Sequence, residues 1–252
     1  PDYLDAYRAA GLDAVCLGFE AIVVLKDFTL EGGKNKGVRY AVSRMERDGY
    51  HAEVHMPPLN NDLMPALQAI SDAWLTLHHG GEMHFSDGWF DESYIRSTPV
   101  MVVHAPDGAP TAFANLVPEF TGDEVAIDLM RHHTGVEHGT MEFLFAKMLQ
   151  WAKANGYETF NLGLSAVVAV GEKPEDPRVE QALHTIAMFV SRFFNFRGLH
   201  DFKDKFQPRW EPRYLIFPGS ASLPLVLSTL LRVHSGNNYL WKFLGRQPKV
   251  NQ

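Results

Sequence analysis

Cationic side chains form the clearest chemical pattern in this sequence. Between positions 192 and 213 six basic residues stand against three acidic ones, Asp201, Asp204 and Glu211. Guanidinium and ammonium groups are the side chains that hold phosphate and carboxylate oxygens. The stretch therefore indicates a site for an anionic substrate, and a solvated charged surface is the alternative. The basic residues are Arg192, Arg197, Lys203, Lys205, Arg209 and Arg213.

A second basic group lies near the other end of the chain, on a predicted amphipathic helix. An anion site and a solvent-facing helix surface are equally good interpretations of it. The net charge of the whole chain is −7, which argues against a protein that coats nucleic acid without selectivity. The group consists of Lys34, Lys36, Arg39, Arg44 and Arg47.

The composition is that of a packed globular protein, with 46% hydrophobic and 21% charged residues among 252. No window approaches the roughly 20 apolar residues of a membrane span, so this fragment itself is expected to be soluble. Its first residues resemble the middle of a longer protein. The single cysteine, Cys16, predicts no disulfide and no thiolate metal site, and we expect it to be a small buried residue.

The twelve histidines invite a metal hypothesis. Two adjacent pairs, His78–His79 and His132–His133, lack the spacing and the neighbouring carboxylate of the H-E-x-x-H motif. The sequence therefore predicts no bound metal, and it also predicts no cofactor.

The elements that must position these side chains follow from hydrophobic periodicity. A strand, a helix, a strand and a helix are predicted at 20–26, 34–48, 51–56 and 61–77. Residues 80–97 are glycine-rich and aromatic, which predicts irregular structure that becomes helical near 90–96.

Three short strands follow, and the tight turns between them predict an antiparallel meander at 99–104, 111–118 and 124–130. After a loop at 132–139 come a long amphipathic helix, a strand, a helix, a strand and a last apolar helix. Their predicted bounds are 140–155, 159–164, 180–194, 213–217 and 223–232.

This order of elements is that of a GCN5-related N-acetyltransferase (GNAT) module, an α/β fold with a mixed, mostly antiparallel sheet. Residues 1–58 are expected to be the remnant of a preceding GNAT-like module. Residues 59–220 would form the catalytic module, the C-terminal one of a tandem arrangement, and 221–252 a C-terminal helical tail.

The loop that binds coenzyme A in acetyltransferases of this shape has an unusual sequence here. It consists of RHHTGVEHGT from Arg131 to Thr140, without the R/Q-x-x-G-x-G/A spacing. In such enzymes backbone N–H groups of the loop hold a pyrophosphate at a helix N-terminus. Glu137 would place a carboxylate where a phosphate has to bind, and like charges repel. A coenzyme-A-dependent N-acyltransferase is therefore the second choice.

Several longer phrases resemble one family closely. They are FTLEGGKNKGVRYAVSRMERDGY (28–50), AFANLVP (112–118), DLMRHH (128–133), GTMEFLF (139–145), WAKANGYETFNLGL (151–164) and FFNFRGLHDFKDKFQPRWEPRYLIFPG (193–219). In this order they are similar to the C-terminal cytosolic synthase domain of lysyl- and alanyl-phosphatidylglycerol synthases, also called multiple peptide resistance factors. The similarity runs from about residue 18 to 220, and the last phrase is specific by itself.

The resemblance implies an aminoacyltransferase with a tandem-GNAT synthase domain. Its reaction moves an amino acid, lysine or alanine, from aminoacyl-tRNA to a hydroxyl of phosphatidylglycerol, which modifies membrane charge and resistance to cationic peptides. The expected location is the cytoplasmic face of the bacterial inner membrane, downstream of a transmembrane flippase region. Aminoacyl-tRNA is the co-substrate, and no cofactor is implied.

The resemblance also implies catalytic residues. The D-x-x-R pair that the family requires matches Asp128 and Arg131, and its required lysine matches Lys203. We expect Asp128 to bind the α-ammonium group of the amino acid or to position the acceptor hydroxyl, and Arg131 to hold a phosphate. A salt bridge at the end of a strand is the alternative for the pair.

The same signature implies substrate-binding residues, in a stretch whose backbone is restricted by Pro208 and Pro212. Lys203 and its neighbour would bind lipid phosphate or the acceptor end of the tRNA. The tryptophan stacks on the terminal adenine or fills the core, and the glutamate neutralises an adjacent arginine. These residues are Lys205, Arg209, Trp210, Glu211 and Arg213.

Asn115 and Asn161 lie in predicted strands, where asparagine is unfavourable, so each is expected to make a specific hydrogen bond. They are weaker candidates for contacts to the aminoacyl group. The apolar helix at 223–232 either packs in the core or lies at the bilayer interface. A non-catalytic GNAT-like binding module is a third hypothesis, against which the joint presence of Asp128, Arg131 and Lys203 argues.

Overall fold

The computed structural model describes residues 3–77, 89–119, 122–166, 170–171, 180–181 and 196–235. The helices are α1 Leu4–Ala9, α2 Lys36–Arg47, α3 Met64–Leu77, α4 Glu92–Arg96, α5 Thr140–Ala154, α6 Phe196–Asp204 and α7 Leu223–Ser235. The strands are β1 Asp13–Val24, β2 His51–His55, β3 Val100–His104, β4 Pro110–Pro118, β5 Glu124–His132, β6 Thr159–Ala166 and β7 Arg209–Phe217. A short 3-10 turn, Ser220–Ser222, precedes α7.

The strands form one mixed sheet in the order β2-β3-β4-β5-β6-β1-β7. Strand β1 pairs antiparallel with both β6 and β7. Strands β2, β3 and β4 form an antiparallel series, whereas β5 and β6 run parallel. The predicted GNAT-like α/β fold with a mixed, mostly antiparallel sheet is confirmed.

The chain divides into two compact units. The first unit comprises residues 1–44, 118–127 and 145–222, and the second comprises 45–117, 128–144 and 223–252. The predicted boundaries at 58 and 220 stay a prediction. The strand β1, from the predicted remnant, lies inside the sheet between β6 and β7.

The core of the second unit is built between α3, α4 and strands β3 to β5. Apolar residues at helical spacing on α3, such as Leu67 and Ile70, are fully buried there. They pack with Ile95, Val102 and Phe113, and the aromatic ring of Tyr94 covers the cluster from its edge. Helix α4 is thereby held in a defined position although it is only one turn long.

The core of the first unit holds α6 against α5. Phe145 on α5 contacts the rings of Phe202 and Phe206 at centroid distances of 4.9 and 5.5 Å. Aromatic pairs at these distances stabilise packing beyond the area that they bury. This contact positions Lys203, which lies between the two phenylalanines in sequence.

Most predicted elements are found within two or three residues of their predicted bounds, and two strands are longer. Strand β1 begins at Asp13 instead of residue 20, and β7 begins at Arg209 instead of 213. The two pair with each other along their length, so each extends the other beyond what its own pattern indicates. Pro212 fits in β7 because β7 is the last strand of the sheet among the described residues, where a missing N–H costs least.

Helix α6 was not predicted, since no element was assigned between the predicted helix at 180–194 and the predicted strand at 213–217. The predicted helix at 180–194 lies outside the described residues except for 180–181, which are helical. Arg192 and the residues after 235 also lie outside them. No helix in the described ranges is both long and apolar enough to cross a membrane.

Candidate functional site

Asp128 lies in β5 and accepts a hydrogen bond from a residue that sequence reasoning missed. The hydroxyl of Tyr94 donates to Oδ2 of Asp128 over 2.7 Å. Tyr94 is placed by the start of α4, where the side chain of Asp91 accepts from the backbone N–H of Tyr94 at 2.8 Å. An aspartate at this position caps a helix, so the sequence D-E-S-Y determines where the phenol projects.

Asn115 makes the specific hydrogen bond that was predicted for it. It is fully buried in β4, its Oδ1 accepts from the backbone N–H of Leu129 at 2.7 Å, and its Nδ2 lies 3.4 Å from the hydroxyl of Thr98. Leu129 follows Asp128 directly in β5. Asn115 therefore fixes the backbone of β5 directly after Asp128.

The surroundings of Tyr94 keep its hydroxyl protonated. Burial raises the pKa of Tyr94, and the hydrogen bond to Asp128 and the negative charge of that carboxylate raise it further, to about 12. The phenol is thus a donor throughout the physiological pH range. It holds one oxygen of Asp128 in a constant orientation.

Arg131 lies three residues after Asp128 in β5 and is 4% exposed. Its Nη1 donates to the hydroxyl of Ser71 at 2.5 Å, and its guanidinium stands 5.1 Å from the ring centre of Trp74. Ser71 and Trp74 lie on α3, three residues apart, so one helix holds the guanidinium by a hydrogen bond and a cation–π contact. The side chain is fixed in direction before any substrate arrives.

Lys203, at the end of α6, is 3% exposed. Its ammonium donates to the backbone carbonyls of Gly163 and Leu164 in β6, at 3.1 and 3.0 Å. Gly163 has φ +83°, and a Cβ there would stand 3.6 Å from the lysine Nζ. The strand thus turns its carbonyls toward the lysine in a conformation that favours glycine.

The arginines of β7 form a ladder of alternating charge with the glutamates. Arg209 donates to Oε1 of Glu211 at 2.9 Å, and Arg213 contacts both Oε2 of Glu211 and Glu20 of β1. Glu20 and Glu211 face each other in the strand register, and Arg213 relieves the repulsion between them. The prediction that Glu211 neutralises an adjacent arginine agrees with these contacts.

The ladder shifts the ionisation of its members. The hydrogen bond from Arg209 lowers the pKa of Glu211, and that from Arg213 lowers it further. Burial lowers the pKa of Arg213, but Glu20 and Glu211 outweigh it and the net direction is upward. Both shifts favour the charged forms of Glu211 and Arg213.

The remaining predicted residues of the first unit lie on or beside α6, β6 and β7. Trp210 stacks on His200 at 4.2 Å between ring centres and lies 3.2 Å from Oδ1 of Asp204 through its Nε1. Lys205 is exposed, with its ammonium 5.2 Å from the ring centre of Phe202. Asn161 in β6 donates to Glu124 at 3.1 Å, which is the predicted specific hydrogen bond.

Within the second unit three residues that were not predicted contact predicted ones: Tyr94 contacts Asp128, and Ser71 and Trp74 contact Arg131. Serine, tryptophan and tyrosine in helices carry no spacing signal of their own, so Ser71, Trp74 and Tyr94 could not be distinguished from ordinary helix residues. The sequence did not show that Arg131 is buried, and this is why its partners Ser71 and Trp74 were not found. Lys203, the β7 ladder and Asn161 belong to the first unit.

Cys16 is buried, as predicted, and burial raises the pKa of its thiol. His78 and His79 lie outside the described residues. Nδ1 of His132 donates to the backbone carbonyl of His133, 2.9 Å away, which gives this pair a local structural contact.

Fold and site together define a class: a GNAT-like α/β protein with an Asp–Arg pair on β5 and a lysine buried against β6. A sequence profile of the family described as phosphatidylglycerol lysyltransferase, C-terminal, matches residues 1–217. The chain belongs to this family.

Two solved structures of similar sequence have the same fold. A protein from Agrobacterium fabrum, assigned as the C-terminal domain of a lysylphosphatidylglycerol synthetase, is 40% identical with a TM-score of 0.81, over 94% of this chain and 70% of that one. The L-PGS structure from Bacillus licheniformis is 33% identical with a TM-score of 0.79, over 94% and 71% of the two chains.

Among curated relatives, the phosphatidylglycerol lysyltransferase of Staphylococcus xylosus is 35% identical over 236 residues. These make up 94% of this chain and 28% of that protein. The chain thus spans little more than a quarter of the length of such relatives.

Proposed function

We propose that this chain carries out the transfer of an amino acid, lysine or alanine, from aminoacyl-tRNA to a hydroxyl of phosphatidylglycerol. The relatives are named for lysyl transfer to this lipid. The observation that carries the proposal is the arrangement on β5, where Asp128 is oriented by Tyr94 and Arg131 is buried and oriented by α3. Such an arrangement suits a substrate with one cationic and one anionic group.

Asp128 is proposed to receive the α-ammonium group of the transferred amino acid. A carboxylate accepts several hydrogen bonds, so it can hold the phenol of Tyr94 and an ammonium group together. The backbone beneath it is fixed by Asn115. With the amino acid held at its nitrogen, the ester carbonyl carbon is presented in a constant position to the attacking hydroxyl.

The transfer needs no redox partner. The lipid hydroxyl oxygen bonds to the ester carbonyl carbon, and the bond from that carbon to the ribose oxygen breaks. The proton leaves the lipid hydroxyl and ends on the ribose oxygen. Asp128 acts as the positioning group or as the base in this proton transfer.

Arg131 is proposed to hold a phosphate of one of the two anionic substrates. Its planar guanidinium has five donors in a fixed fork, and one of them donates to Ser71. The contact with Trp74 also orients the plane of the fork. A guanidinium fork has the geometry that phosphate oxygens require.

Lys203 is proposed as a further catalytic residue, and its ammonium is held by two carbonyls of β6. Basic residues that follow it in the chain, Lys205, Arg209 and Arg213, would hold lipid phosphate or the acceptor end of the tRNA. Trp210 would stack on the terminal adenine, and Glu211 would neutralise the two arginines. Asn161 is a weaker candidate for the aminoacyl group, and Asn115 is its counterpart in the second unit.

A basic helix surface supports the tRNA as donor. Helix α2 presents Lys36 and Arg39 beside Tyr40, whose side chain is 65% exposed, and these line a hollow of about 560 Å³. Cations interleaved with an exposed aromatic ring suit a single-stranded nucleic acid end. Arg39 also donates to the carbonyls of Leu30 and Gly32, which fixes the loop before the helix.

The lipid acceptor implies work at a membrane surface, and we propose the cytoplasmic face of the bacterial inner membrane, downstream of a transmembrane flippase region in the whole protein. Helix α7 supports this, since Leu225 is 69% exposed and Val233 is 41% exposed. Apolar side chains on a surface helix can insert at the headgroup boundary. Altered lipid charge would then lower the binding of cationic peptides.

A labelled-donor assay tests the proposal. The chain is mixed with phosphatidylglycerol vesicles and with tRNA charged with labelled lysine or alanine, and the lipid fraction is counted. We expect label in the lipid from one of the two donors, and none from vesicles of phosphatidylcholine. Turnover of acetyl-coenzyme A on an amine, without labelled lipid, would instead support an N-acyltransferase.

A further inference from the structure

The paired strands β2 and β3 carry a group of metal-ligating side chains apart from the residues of the proposed reaction. In their register His51 is opposite His104, Glu53 opposite Val102 and His55 opposite Val100. Residues two apart on a strand share one face of the sheet. His51, Glu53 and His55 therefore project to the face on which His104 lies.

Three of these side chains come close enough to share one ion. Glu53, His55 and His104 each offer a ligand atom, and these atoms lie within 4.8 Å of one another. The glutamate is exposed and the two histidines are half-buried, so an ion can enter from solvent while the rings supply the inner ligands.

The hydrogen-bond geometry of His104 suits metal binding. Its Nδ1 lies 3.1 Å from the carbonyl oxygen of Gly108. A carbonyl oxygen only accepts, so Nδ1 carries the hydrogen of the neutral imidazole and Nε2 is the nitrogen that can bind a metal. Metal-binding histidines are typically oriented by such a hydrogen bond from their other nitrogen to a backbone carbonyl.

The ring nitrogens on the inner side lack other partners. Nε2 of His104 and Nε2 of His55 are both buried from solvent, and neither makes a hydrogen bond to any residue that the structure describes. Buried polar atoms in proteins are nearly always paired, so two unpaired nitrogens beside a carboxylate point to a ligand that they bind together.

We infer that Glu53, His55 and His104 form a binding site for one divalent transition-metal ion of the zinc type. Two imidazoles and one carboxylate are a donor set that Zn²⁺ accepts, whereas Mg²⁺ and Ca²⁺ prefer oxygen ligands alone. In a tetrahedral zinc site neighbouring ligand atoms are about 3.4 Å apart. The ligand atoms lie within 4.8 Å of one another, and rotation about the side-chain torsions would close the remaining distance.

The bound ion has a structural consequence. It connects β2, which is the first strand in the sheet order, to β3 through side chains in addition to the backbone pairing. An ion that binds only the folded chain raises stability with its concentration. Three protein ligands leave a fourth position for water.

The experiment uses the 252-residue chain without an affinity tag, stripped of metal by a chelator. Co²⁺ is titrated in first, because four-coordinate cobalt absorbs strongly in the visible range, and Zn²⁺ is then added to displace it. We expect one equivalent of Co²⁺ to give the four-coordinate spectrum, one equivalent of Zn²⁺ to remove it, and Mg²⁺ to leave it unchanged. Thermal unfolding of the same samples should move upward with Zn²⁺.

Substitutions of single residues identify the side chains that bind the ion. Glu53→Gln keeps the shape of an exposed side chain and is expected to weaken Zn²⁺ binding at least about tenfold, with His55→Ala and His104→Ala at or beyond that level. His51→Ala is the matched control: its exposed ring stacks on His104 at 4.9 Å between centres but lies outside the ligand group, and it should keep the four-coordinate spectrum.

Two results would overturn the inference. One is Zn²⁺ affinity that stays within about threefold of the parent chain in folded Glu53→Gln and His104→Ala, since some of the other histidines would then bind the ion. The other is a six-coordinate cobalt spectrum at all concentrations. Circular dichroism of each variant separates a lost ligand from a lost fold.

Discussion

Two arginine-containing groups in this protein differ in how their charges are held. On β5, Arg131 is buried, and helix α3 fixes it through Ser71 and Trp74. On β7, Arg209 and Arg213 are partly exposed and contact a glutamate two residues away on the same strand. Packing holds the side chain of the buried arginine in place, whereas ion pairs hold the side chains of the exposed arginines.

This difference predicts different sensitivities. A buried polar network depends on shape, because each group must find its partner without help from water. Exposed ion pairs contribute little and are screened by salt. Substitutions that preserve charge but change shape should therefore damage the β5 group most, whereas the β7 ladder should respond mainly to ionic strength.

Arg131→Lys is expected to have the largest effect among substitutions in the β5 group and the β7 ladder. Lysine keeps the charge but loses the planar fork that reaches Ser71 and lies against Trp74. We expect kcat/KM for lipid aminoacylation to fall about 100-fold, which corresponds to roughly 3 kcal/mol of transition-state stabilisation. The measurement is the initial rate of label transfer to phosphatidylglycerol.

The matched control is Arg96→Lys, which changes the same residue type in the same unit. Arg96 pairs with Glu92 at the surface of α4, and its substitution should leave the rate within about threefold. Equal losses in the two variants would mean that shape at Arg131 does not matter.

Lys203→Met should lower stability in addition to the loss of lipid aminoacylation expected for a catalytic residue. Methionine fills a similar volume but leaves the carbonyls of Gly163 and Leu164 without their donor, a loss of about 1–3 kcal/mol in the free energy of unfolding. Urea denaturation measures it. Lys205→Met, at an exposed position nearby, should change that free energy by less than about 0.5 kcal/mol. If both variants unfold at the same urea concentration, the carbonyl contacts of Lys203 contribute nothing.

Tyr94→Phe tests the buried group on β5 through the pH dependence of its contribution to stability. The raised pKa of about 12 means that the folded state binds the phenolic proton more tightly than the unfolded state, whose tyrosines ionise near 10. The stabilisation from Tyr94 is therefore complete below about pH 10 and is lost as the pH rises from about 10 to 12.

Ultraviolet titration checks this. At pH 11 the folded parent chain and folded Tyr94→Phe should show nearly the same tyrosinate absorbance, because Tyr94 is only about one tenth ionised there. A parent chain with almost one more ionised tyrosine than the variant at this pH would show that the hydrogen bond to Asp128 does not hold the proton.

Arg209→Ala should have only a small effect on stability. The pair with Glu211 is exposed, so the free energy of unfolding should change by about 0–1 kcal/mol, and less at high salt. If Arg209 binds a substrate phosphate as proposed, KM rises at low salt while kcat stays the same. A fall in kcat with unchanged KM would place Arg209 in the chemistry instead.

The sequence predicted the order of elements well because the periodicity of α2, α5 and the β3–β5 meander is strong. Val38, Val42 and Met45 of α2 are buried at the predicted spacing, and so are Phe143, Leu144 and Met148 of α5. Local pattern cannot report pairing, so the polar start of β7 became a strand only through its register with β1.

The residues of the candidate site also fall into two groups, those that the sequence predicted and those that required the tertiary structure. Asp128, Arg131 and Lys203 followed from resemblance, and the hydrogen bonds of Asn115 and Asn161 from the poor fit of asparagine to strands. Ser71, Trp74 and Tyr94 required the tertiary contacts, since they are distant from β5 in sequence. The alternating pattern of β2 was recognised as a strand, but its ligand group depends on His104 from the neighbouring strand.

The proposed role of Asp128 is tested most directly by two carboxylate-to-amide substitutions in one assay. Asp128→Asn removes the charge proposed to hold the α-ammonium group, while Asp107→Asn changes an exposed turn where the side chain accepts from Ala109 at 3.0 Å. We predict that label transfer from aminoacyl-tRNA to phosphatidylglycerol falls at least about 100-fold in Asp128→Asn and stays within about twofold in Asp107→Asn. Equal rates in the two folded variants would contradict the proposed role of Asp128.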